Sequence, residues 1–390
     1  MKSQRRKTTT LGLRNVFALG VVSFFTDTSS EMVFGLLPAF IVDELGASLG
    51  LLGLIEGVAE ALGYYLRMFS GVLSDRLRTR KILVLLGYSF SSVAKPFFAV
   101  ARSWTDAFLV RVVERTGKGV RTAPRDALLS ASVERSVSGR AFGIHRALDQ
   151  TGAIVGPLLA FALLPLIGLR NIFLVSILPG GLAVVVLLLF VKERAGKRRK
   201  VKLLANLREV LRGRFRRLLV VVALFSLGAY NFSFILIKST EFGLATVSIP
   251  LTFAVINVAH TLVAAPAGIL SDRVGKGRVL GIGYANFLVA SLLAATLSRE
   301  PAYAFLIATV YGAYVGIVET VSRALIPEYT TPGLEGTAYG FYYLVVGTFF
   351  FAANGLMGVL WDLFGSSVAF LFPVATSTLA VIALFVAKLP

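Results

Sequence analysis

Long apolar segments separated by short polar ones run along nearly the whole chain. A helix needs about 20 predominantly apolar residues to cross the hydrocarbon core of a bilayer. Twelve segments approach or exceed this length, and they lie at 12–42, 48–72, 82–100, 104–128, 140–166, 171–191, 218–243, 249–271, 279–298, 302–326, 338–361 and 367–388. Most connections are very short, which makes successive helices antiparallel. The pattern predicts an all-α membrane protein with twelve transmembrane helices.

The one long connection, at 192–217, divides the twelve segments into two groups of six. It contains twelve basic residues, among them the run Lys197–Lys200. We therefore predict an N-terminal six-helix half at 1–191, a basic linker at 192–217 and a C-terminal six-helix half at 218–390.

Composition and charge agree with a membrane protein. Apolar residues make up 56% of the 390 residues and charged residues 16%, whereas about 25% of the residues of an average soluble protein are charged. The net charge of +19 would suit a nucleic-acid-binding protein, but the basic residues lie between the apolar segments and not on one face. We therefore expect no nucleic acid as a partner.

The distribution of basic residues predicts the topology. The N-terminal tail carries five, the loops after segments 2 and 8 carry four and three, and the linker carries twelve; the opposite side carries only Arg102, Arg170 and Arg299. By the positive-inside rule, both termini and the linker face the cytoplasm. The chain is thus predicted to be a multi-pass protein of the cell (cytoplasmic, inner) membrane.

Two short motifs recur at a fixed distance. Gly71-Val-Leu-Ser-Asp75-Arg76 after segment 2 matches Gly268-Ile-Leu-Ser-Asp272-Arg273 after segment 8, at an offset of 197 residues. The motif 139–143 matches 336–340 at the same offset. This internal repeat predicts two six-helix halves related by pseudo-two-fold symmetry, with the substrate path between them.

At these residues the chain resembles the major facilitator superfamily, whose hallmark is Gly-x-Leu-x-Asp-Arg-x-Gly-Arg-Lys between helices 2 and 3. The first copy departs from it, because Arg78 stands where glycine is usual, and the second keeps Gly275. The resemblance implies a latch that closes the cytoplasmic side; the alternative is a turn that only sets topology. The residues assigned to this gating role are Gly71, Asp75, Arg76, Arg80, Gly268, Asp272 and Arg273.

Segment 5 carries a second resemblance. Gly143, Gly152, Gly156 and Pro157 follow the spacing Gly-x8-Gly-x3-Gly-Pro that marks proton-coupled drug antiporters of the superfamily, although the final glycine pair reads Ala160-Phe161 here. Ordinary small-residue helix packing is the alternative explanation. The segments 24–32 and 114–119 resemble an uncharacterised prokaryotic branch of the superfamily that has no agreed substrate.

Ionisable residues occur within the apolar segments, where each costs several kcal/mol unless it is paired or functional. We assign proton coupling to Asp27, Glu31, Asp149 and Arg115. Residues assigned to the substrate cavity are Arg111, Glu114, His145, Arg146, Asn231, Glu319, Arg323 and Tyr342. The alternative is that these charges form closed ion pairs that hold the helices together.

The sequence therefore favours a secondary active transporter that works by alternating access, as a proton-coupled antiporter exporting a small organic molecule. One alternative is a proton-coupled symporter importing an organic anion, held by Arg111, Arg115 and Arg146. Another is a non-transporting membrane sensor or scaffold. A metal carrier using Asp27, Glu31, His145 and Asp149 is disfavoured, because the nearby arginines repel cations.

The remaining expectations concern cofactors and partners. The chain has no cysteine and two histidines, which excludes thiolate metal sites and disfavours a histidine-rich one. It has no phosphate-binding loop, no nucleophile elbow and no extramembrane domain, so an enzyme is disfavoured and no cofactor or metal is expected. We expect a monomer whose partners are a small-molecule substrate, protons and membrane lipids.

Overall fold

The computed structural model describes residues 2–76, 80–134, 138–193, 211, 213–330 and 335–387. These residues are almost entirely helical, and no strand occurs among them. The helices are α1 (Lys2–Phe34, continued by Leu37–Ala39 and the π-helical turn Phe40–Glu44), α2 (Leu49–Arg76), α3 (Arg80–Ala94, continued by the 3-10 segment Lys95–Val100), α4 (Trp104–Ser132), α5 (Ser138–Ile167), α6 (Leu169–Val175 and Ile177–Phe190), α7 (Gly213–Ser226 and Phe232–Glu241), α8 (Ile249–Val274, preceded by the 3-10 turn Thr246–Ser248), α9 (Lys276–Thr296), α10 (Pro301–Glu328), and α11 and α12, the two parts of Glu335–Val386.

The prediction of twelve membrane helices is confirmed. By length and hydropathy alone, eight helical stretches in the described part of the chain could cross a membrane, and one of them contains both α11 and α12. The other three spans are α1 and α4, which carry many of the ionisable residues discussed below, and α7, which is interrupted. The ionisable side chains of α1 and α4, and the backbone groups at the break in α7, need polar partners on neighbouring helices, because hydrocarbon offers them none.

Glycines with positive φ separate several successive helices. Gly365 has a φ of 81° and divides the last helical stretch into α11 and α12. Gly275 has a φ of 100° between α8 and α9, and Gly168 has a φ of 76° before α6. A side chain at these angles would be strained, whereas glycine adopts them readily. Tight connections of this kind explain how spans with almost no loop between them can reverse direction.

A break in α7 separates Gly213–Ser226 from Phe232–Glu241, where the sequence predicts one continuous span. Backbone groups released by such a break must find partners inside a membrane. Asn231 satisfies two of these backbone groups. Its side chain accepts a hydrogen bond from the N–H of Ser233, and its own N–H donates to Asn354 Oδ1 at 2.8 Å. The hydroxyl of Tyr311 donates to the carbonyl of Tyr230 at 2.8 Å.

The chain forms two compact units: Met1–Leu36 with Leu62–Val201, and Leu37–Ala61 with Lys202–Pro390. This division differs from the two halves predicted at 1–191 and 218–390, because the end of α1 and the beginning of α2 pack with the second unit. The division by packing is not a test of the sequence repeat, so the two repeated halves stay a prediction.

The two units have cores of different composition. In the first unit, aliphatic residues of α1 such as Val16, Leu19 and Val22 pack with Tyr88 and Leu187. In the second unit the core is aromatic, and the rings of Phe225 and Tyr284 stack with centroids 3.8 Å apart. The other members of this aromatic core are Tyr230, Phe287, Tyr311, Tyr314, Trp361 and Phe370.

Close backbone packing joins α2 to α11 within the second unit. A Cβ added at Gly358 would lie 2.8 Å from the Cα of Gly50, and one added at Gly57 would lie 3.0 Å from the carbonyl oxygen of Phe351. Asp362 then accepts hydrogen bonds from the N–H groups of Leu49 and Gly50, at 2.9 and 2.7 Å. These contacts satisfy two of the donors that the first turn of α2 would otherwise leave without a helical partner.

This packing predicts opposite responses at two glycines of α11. Gly358→Ala should lower the free energy of unfolding by about 1–3 kcal/mol, because the new methyl group forces two backbones apart. Gly355→Ala should not lower it, because an added Cβ there meets nothing within 4 Å and alanine favours the helix. Thermal unfolding of the purified variants in detergent measures both. Equal melting temperatures (Tm) for the two variants would contradict the packing described here.

Candidate functional site

Two glycines of α5 allow this helix to lie directly against α1. A Cβ added at Gly156 would lie 2.7 Å from the carbonyl oxygen of Thr28, and one added at Gly152 would lie 3.0 Å from the carbonyl carbon of Phe24. The third glycine of the predicted motif, Gly143, is in open space. Close approach at the first two positions brings the polar residues of α1 and α5 into contact.

This approach places two carboxyl groups, Asp27 on α1 and Asp149 on α5, close enough to interact electrostatically. Asp149 also accepts a hydrogen bond from Ser23 Oγ at 2.6 Å and one from Arg146 Nη1 at 3.0 Å. Arg125 Nη1 lies 3.9 Å from the same carboxylate. Two ionised carboxylates that lie close together repel each other, so such a pair requires either a bound proton or nearby cations.

A second cluster of buried charges lies on α4. Arg111 and Glu114 are fully buried and form an ion pair with a 3.2 Å separation, and Arg115 lies 3.7 Å from the same carboxylate. The ring of Phe34 on α1 lies beneath both guanidinium groups, at 4.1 and 5.3 Å from its centroid. Ser91 Oγ donates to Glu114 at 3.5 Å. One carboxylate and one aromatic face therefore hold two arginines in place.

Lys118 lies between the carboxyl pair and the arginine cluster. It is half-buried on α4 and interacts electrostatically with both Asp27 and Glu31. In the described part of the chain, no carboxylate approaches its Nζ within 4.0 Å. Lys118 is not among the residues predicted from sequence, and its glycine neighbours, Gly117 and Gly119, give no local signal of a functional role.

Lys95 is the second functional candidate that sequence reasoning missed. It begins the 3-10 segment of α3 and is fully buried, with its Nζ donating to Ser30 Oγ at 2.9 Å. Over the described ranges, no salt bridge to Lys95 is formed. A lone lysine inside an apolar run is a usable signal, but its place near the end of the predicted span 82–100 made an interfacial position equally reasonable.

Other predicted residues of the first unit lie close to the carboxyl pair. His145 is buried, and its Nε2 has no hydrogen-bond partner among the described residues. Arg146 is partly exposed and reaches Asp149 from one turn earlier on α5. Arg125 forms a further ion pair with Asp126 at 2.9 Å. The cationic groups therefore lie close to the carboxylates throughout this region.

In the second unit the predicted cavity residues separate into two groups. Asn231, at the break in α7, donates from Nδ2 to Glu56 Oε2 at 3.3 Å. Glu56 is 1% exposed and was not selected from sequence, because its partner lies 175 positions away. Asn231 thereby connects the buried carboxylate of α2 with Asn354 of α11.

Glu319, Arg323 and Tyr342 form the other group. Arg323 Nη2 donates to Glu319 Oε2 at 3.3 Å on α10, and both side chains are largely exposed. Tyr342 of α11 is buried.

The repeated motif is only partly within the described residues. The side chains of Asp75 and Arg76 lie outside them. A Cβ at Gly71 would lie 3.4 Å from the Cβ of Ala123, and Arg80 Nη1 donates to a backbone carbonyl of α4 at 3.1 Å. The first copy therefore contacts α4 through the residues that can be described.

The second copy of the motif shows the corresponding contacts. A Cβ at Gly268 would lie 3.5 Å from a methyl group of Thr320 on α10. Lys276 Nζ lies 3.8 Å from Asp272 and also pairs with Glu328. Arg273 is exposed. The gating role of these residues stays a prediction.

The chain is similar to membrane transporters in both sequence and fold. The family model of the Major Facilitator Superfamily matches residues 19–259 and 218–390. An uncharacterized MFS-type transporter of Methanocaldococcus jannaschii is 33% identical over 359 residues, which cover 90% of this chain and 89% of that protein. A multidrug resistance protein, MdtG of Escherichia fergusonii, is 29% identical over 204 residues, about half of each chain. A crystal structure of a variant of the nucleoside transporter NupG has a TM-score of 0.82 at 12% identity and covers 96% of this chain.

The different surroundings of two buried lysines predict opposite effects of the same substitution. Lys95→Met should raise the free energy of unfolding by about 1–3 kcal/mol, because it removes a buried polar group that has one hydrogen bond. Lys238→Met should lower it, because Lys238 pairs with Glu241 at 2.7 Å and with Ser366 at 2.8 Å. The Tm of each purified variant measures the effect. Destabilisation by both substitutions would mean that Lys95 has a structural role.

Proposed function

Because this chain belongs to the major facilitator superfamily of membrane transporters, we propose that it is a proton-coupled antiporter that exports a small organic molecule. Alternating access would expose one binding region to the two sides of the membrane in turn. The observation that carries the proposal is the pair of neighbouring carboxyl groups of Asp27 and Asp149, with Arg125 and Arg146 beside Asp149.

The surroundings of the pair suit reversible protonation. With one proton bound, the two carboxyl groups carry a single negative charge between them. When the proton leaves, two negative charges remain side by side, and such repulsion is tolerated only with cations nearby. Arg125 and Arg146 approach Asp149, and Lys118 interacts with Asp27. A cationic or polar substrate that binds near Asp27 would favour the deprotonated pair, so proton and substrate would exclude each other.

In this proposal, Glu31 and Arg115 modify the electrostatic surroundings of the carboxyl pair and do not themselves carry the proton. Glu31 lies one turn beyond Asp27 on α1 and interacts electrostatically with Lys118 and Arg115. It extends the row of charges from the carboxyl pair toward the arginine cluster.

Export in exchange for protons is supported by two further observations. The glycines of α5 resemble the motif of proton-coupled drug antiporters, and two of them bring α5 against α1 at the carboxyl pair. The partial similarity to MdtG, a multidrug resistance protein, points in the same direction. Members of this family move substrates and are generally not enzymes. The proposed location is the cell membrane, with both termini in the cytoplasm and a monomer as the working unit.

A second candidate function, the symport of an organic anion, is favoured by the excess of cations around α4. Four cationic side chains, Lys95, Arg111, Arg115 and Lys118, lie in a region that contains the carboxylates of Glu31 and Glu114. Lys118 is half-buried and lacks a carboxylate within 4.0 Å over the described ranges. A carboxylate or phosphate of a substrate could take that position.

Infrared spectroscopy tests the carboxyl pair without knowledge of the substrate. The purified protein at neutral pH should show the carbonyl stretch of a protonated carboxyl group. We expect Asp27→Asn to abolish this band, because it removes the carboxyl group that holds the proton in this proposal. Asp149→Asn should change the frequency of the band, because it removes the neighbouring carboxyl group. Asp43→Asn, at an exposed carboxylate in the π-helical turn that continues α1, should leave it unchanged. A band that is unchanged in both Asp27→Asn and Asp149→Asn would remove the pair from the mechanism.

Proton movements in inverted vesicles separate antiport from symport. A panel of apolar cations and organic anions is added to vesicles with an acidic lumen, and the lumenal pH is followed with a dye. An antiporter should raise the lumenal pH when a substrate enters in exchange for protons, and Asp27→Asn should abolish this response. If organic anions alone respond and lower the lumenal pH, because each enters together with a proton, the symporter is the correct function. Lys118→Gln should then raise their KM at least about tenfold, and Lys118→Arg should not. A wild-type protein that moves no compound would support the sensor or scaffold.

A further inference from the structure

A long groove lies on the surface of the first unit, where the cytoplasmic end of α1 meets the end of α6. Its volume is about 790 Å³. It is lined by Leu13, Arg14, Asn15, Phe17, Ala18, Val21, Val186, Leu189, Phe190 and Lys192. The first six of these residues belong to α1, and the other four lie at or just after the end of α6. The two helices run antiparallel, so the groove follows the line of contact between them.

Two cations lie together at one end of this groove. The side chain of Asn15 accepts a hydrogen bond from the N–H of Lys192 at 2.8 Å and donates to the carbonyl of the same residue at 3.3 Å. Asn15 also donates to Ser132 Oγ at 2.6 Å. This double link holds the backbone of Lys192 beside α1, next to Arg14, which precedes Asn15 in the chain. Both basic side chains are exposed.

The rest of the groove is apolar. Phe17 and Val21 continue along α1 from Arg14, and Leu189 and Val186 continue along α6 from Lys192. Phe17 is 58% exposed and Leu189 70% exposed. At 1.5 Å per residue, the α1 side extends about 10 Å from Arg14 to Val21. A cationic end followed by an apolar channel matches the shape of a phospholipid, which has a charged phosphate above an acyl chain.

We propose that this groove binds one anionic phospholipid of the cytoplasmic leaflet. Its phosphate lies between Arg14 and Lys192, and one acyl chain follows Phe17 and Val21 along α1. Basic residues at the cytoplasmic surface attract anionic lipids, with a contribution of about 1 kcal/mol for each charge. The neighbouring carboxylate of Glu193 is directed toward α3, because it accepts a hydrogen bond from the N–H of Lys81 at 2.7 Å.

The site is separate from the proposed proton-coupling pair. Arg14 precedes Asp27 by 13 residues on one continuous helix, which corresponds to about 20 Å. A lipid held at α1 and α6 would tie the two helices together at their cytoplasmic ends. The lipid site is thus independent of whether the chain is an antiporter or a symporter.

Binding of defined lipids to the purified full-length protein tests this proposal. Dioleoyl-phosphatidylglycerol and dioleoyl-phosphatidylcholine, which share acyl chains, are titrated and bound lipid is counted by native mass spectrometry. We expect at least about tenfold tighter binding of one phosphatidylglycerol, a difference of about 1.4 kcal/mol. The double variant Arg14→Gln/Lys192→Gln should lose this preference. The charge-conserving variant Arg14→Lys/Lys192→Arg should keep it.

Two controls make the result decisive. The matched variant Arg214→Gln/Arg216→Gln removes two exposed basic residues at the start of α7 and should keep the full preference. Val21→Trp fills the apolar part of the groove and should weaken both lipids alike. Equal affinity for the two lipids, an unchanged preference in Arg14→Gln/Lys192→Gln, or the same loss in the α7 control would each overturn the proposal. Competition by inorganic phosphate alone at equal concentration would indicate a simple anion site instead.

Discussion

The cost of placing ionised groups in a hydrocarbon environment governs the first unit. α1, α4 and α5 carry Asp27, Glu114 and Asp149 where a membrane helix should be apolar, and each charge is tolerated because another charge or a proton lies against it. The carboxyl groups of Asp27 and Asp149 interact with each other and with nearby cations, and Glu114 holds two arginines. A change in one partner therefore affects the stability and the protonation of its neighbours together.

Small residues make this arrangement possible. Charged side chains on two helices can meet only if the backbones come close, and Gly152 and Gly156 remove the side chains that would keep α5 from α1. The same device joins α2 to α11 at Gly57 and Gly358. In a bilayer, helices gain little from hydrophobic association, so close packing and hydrogen bonds supply most of the specific attraction.

The two units differ in the kinds of side chains that they bury. The first unit contains the dense cluster of acids and bases, whereas the second contains an aromatic core and the interrupted helix α7. The break at Asn231 exposes backbone groups that are satisfied by Tyr311 and Asn354, and it brings the amide of Asn231 to the carboxylate of Glu56. Discontinuous helices often accompany binding sites in transporters. The network around Asn231 is therefore the candidate binding region of the second unit, as the carboxyl pair is the candidate coupling region of the first.

The sequence by itself determined the twelve spans and the family and selected Asp27 and Asp149 as candidate site residues, because hydropathy, short motifs and rare membrane charges are local properties of the chain. It did not determine which charges meet. Glu56 and Asn231 are 175 positions apart, and Lys95 lies 65 positions from Ser30. The packing with α11 that assigns the beginning of α2 to the second unit, and the break in α7, also followed only from tertiary structure. Each depends on the distance between backbones of helices remote in sequence, and no local pattern encodes that distance.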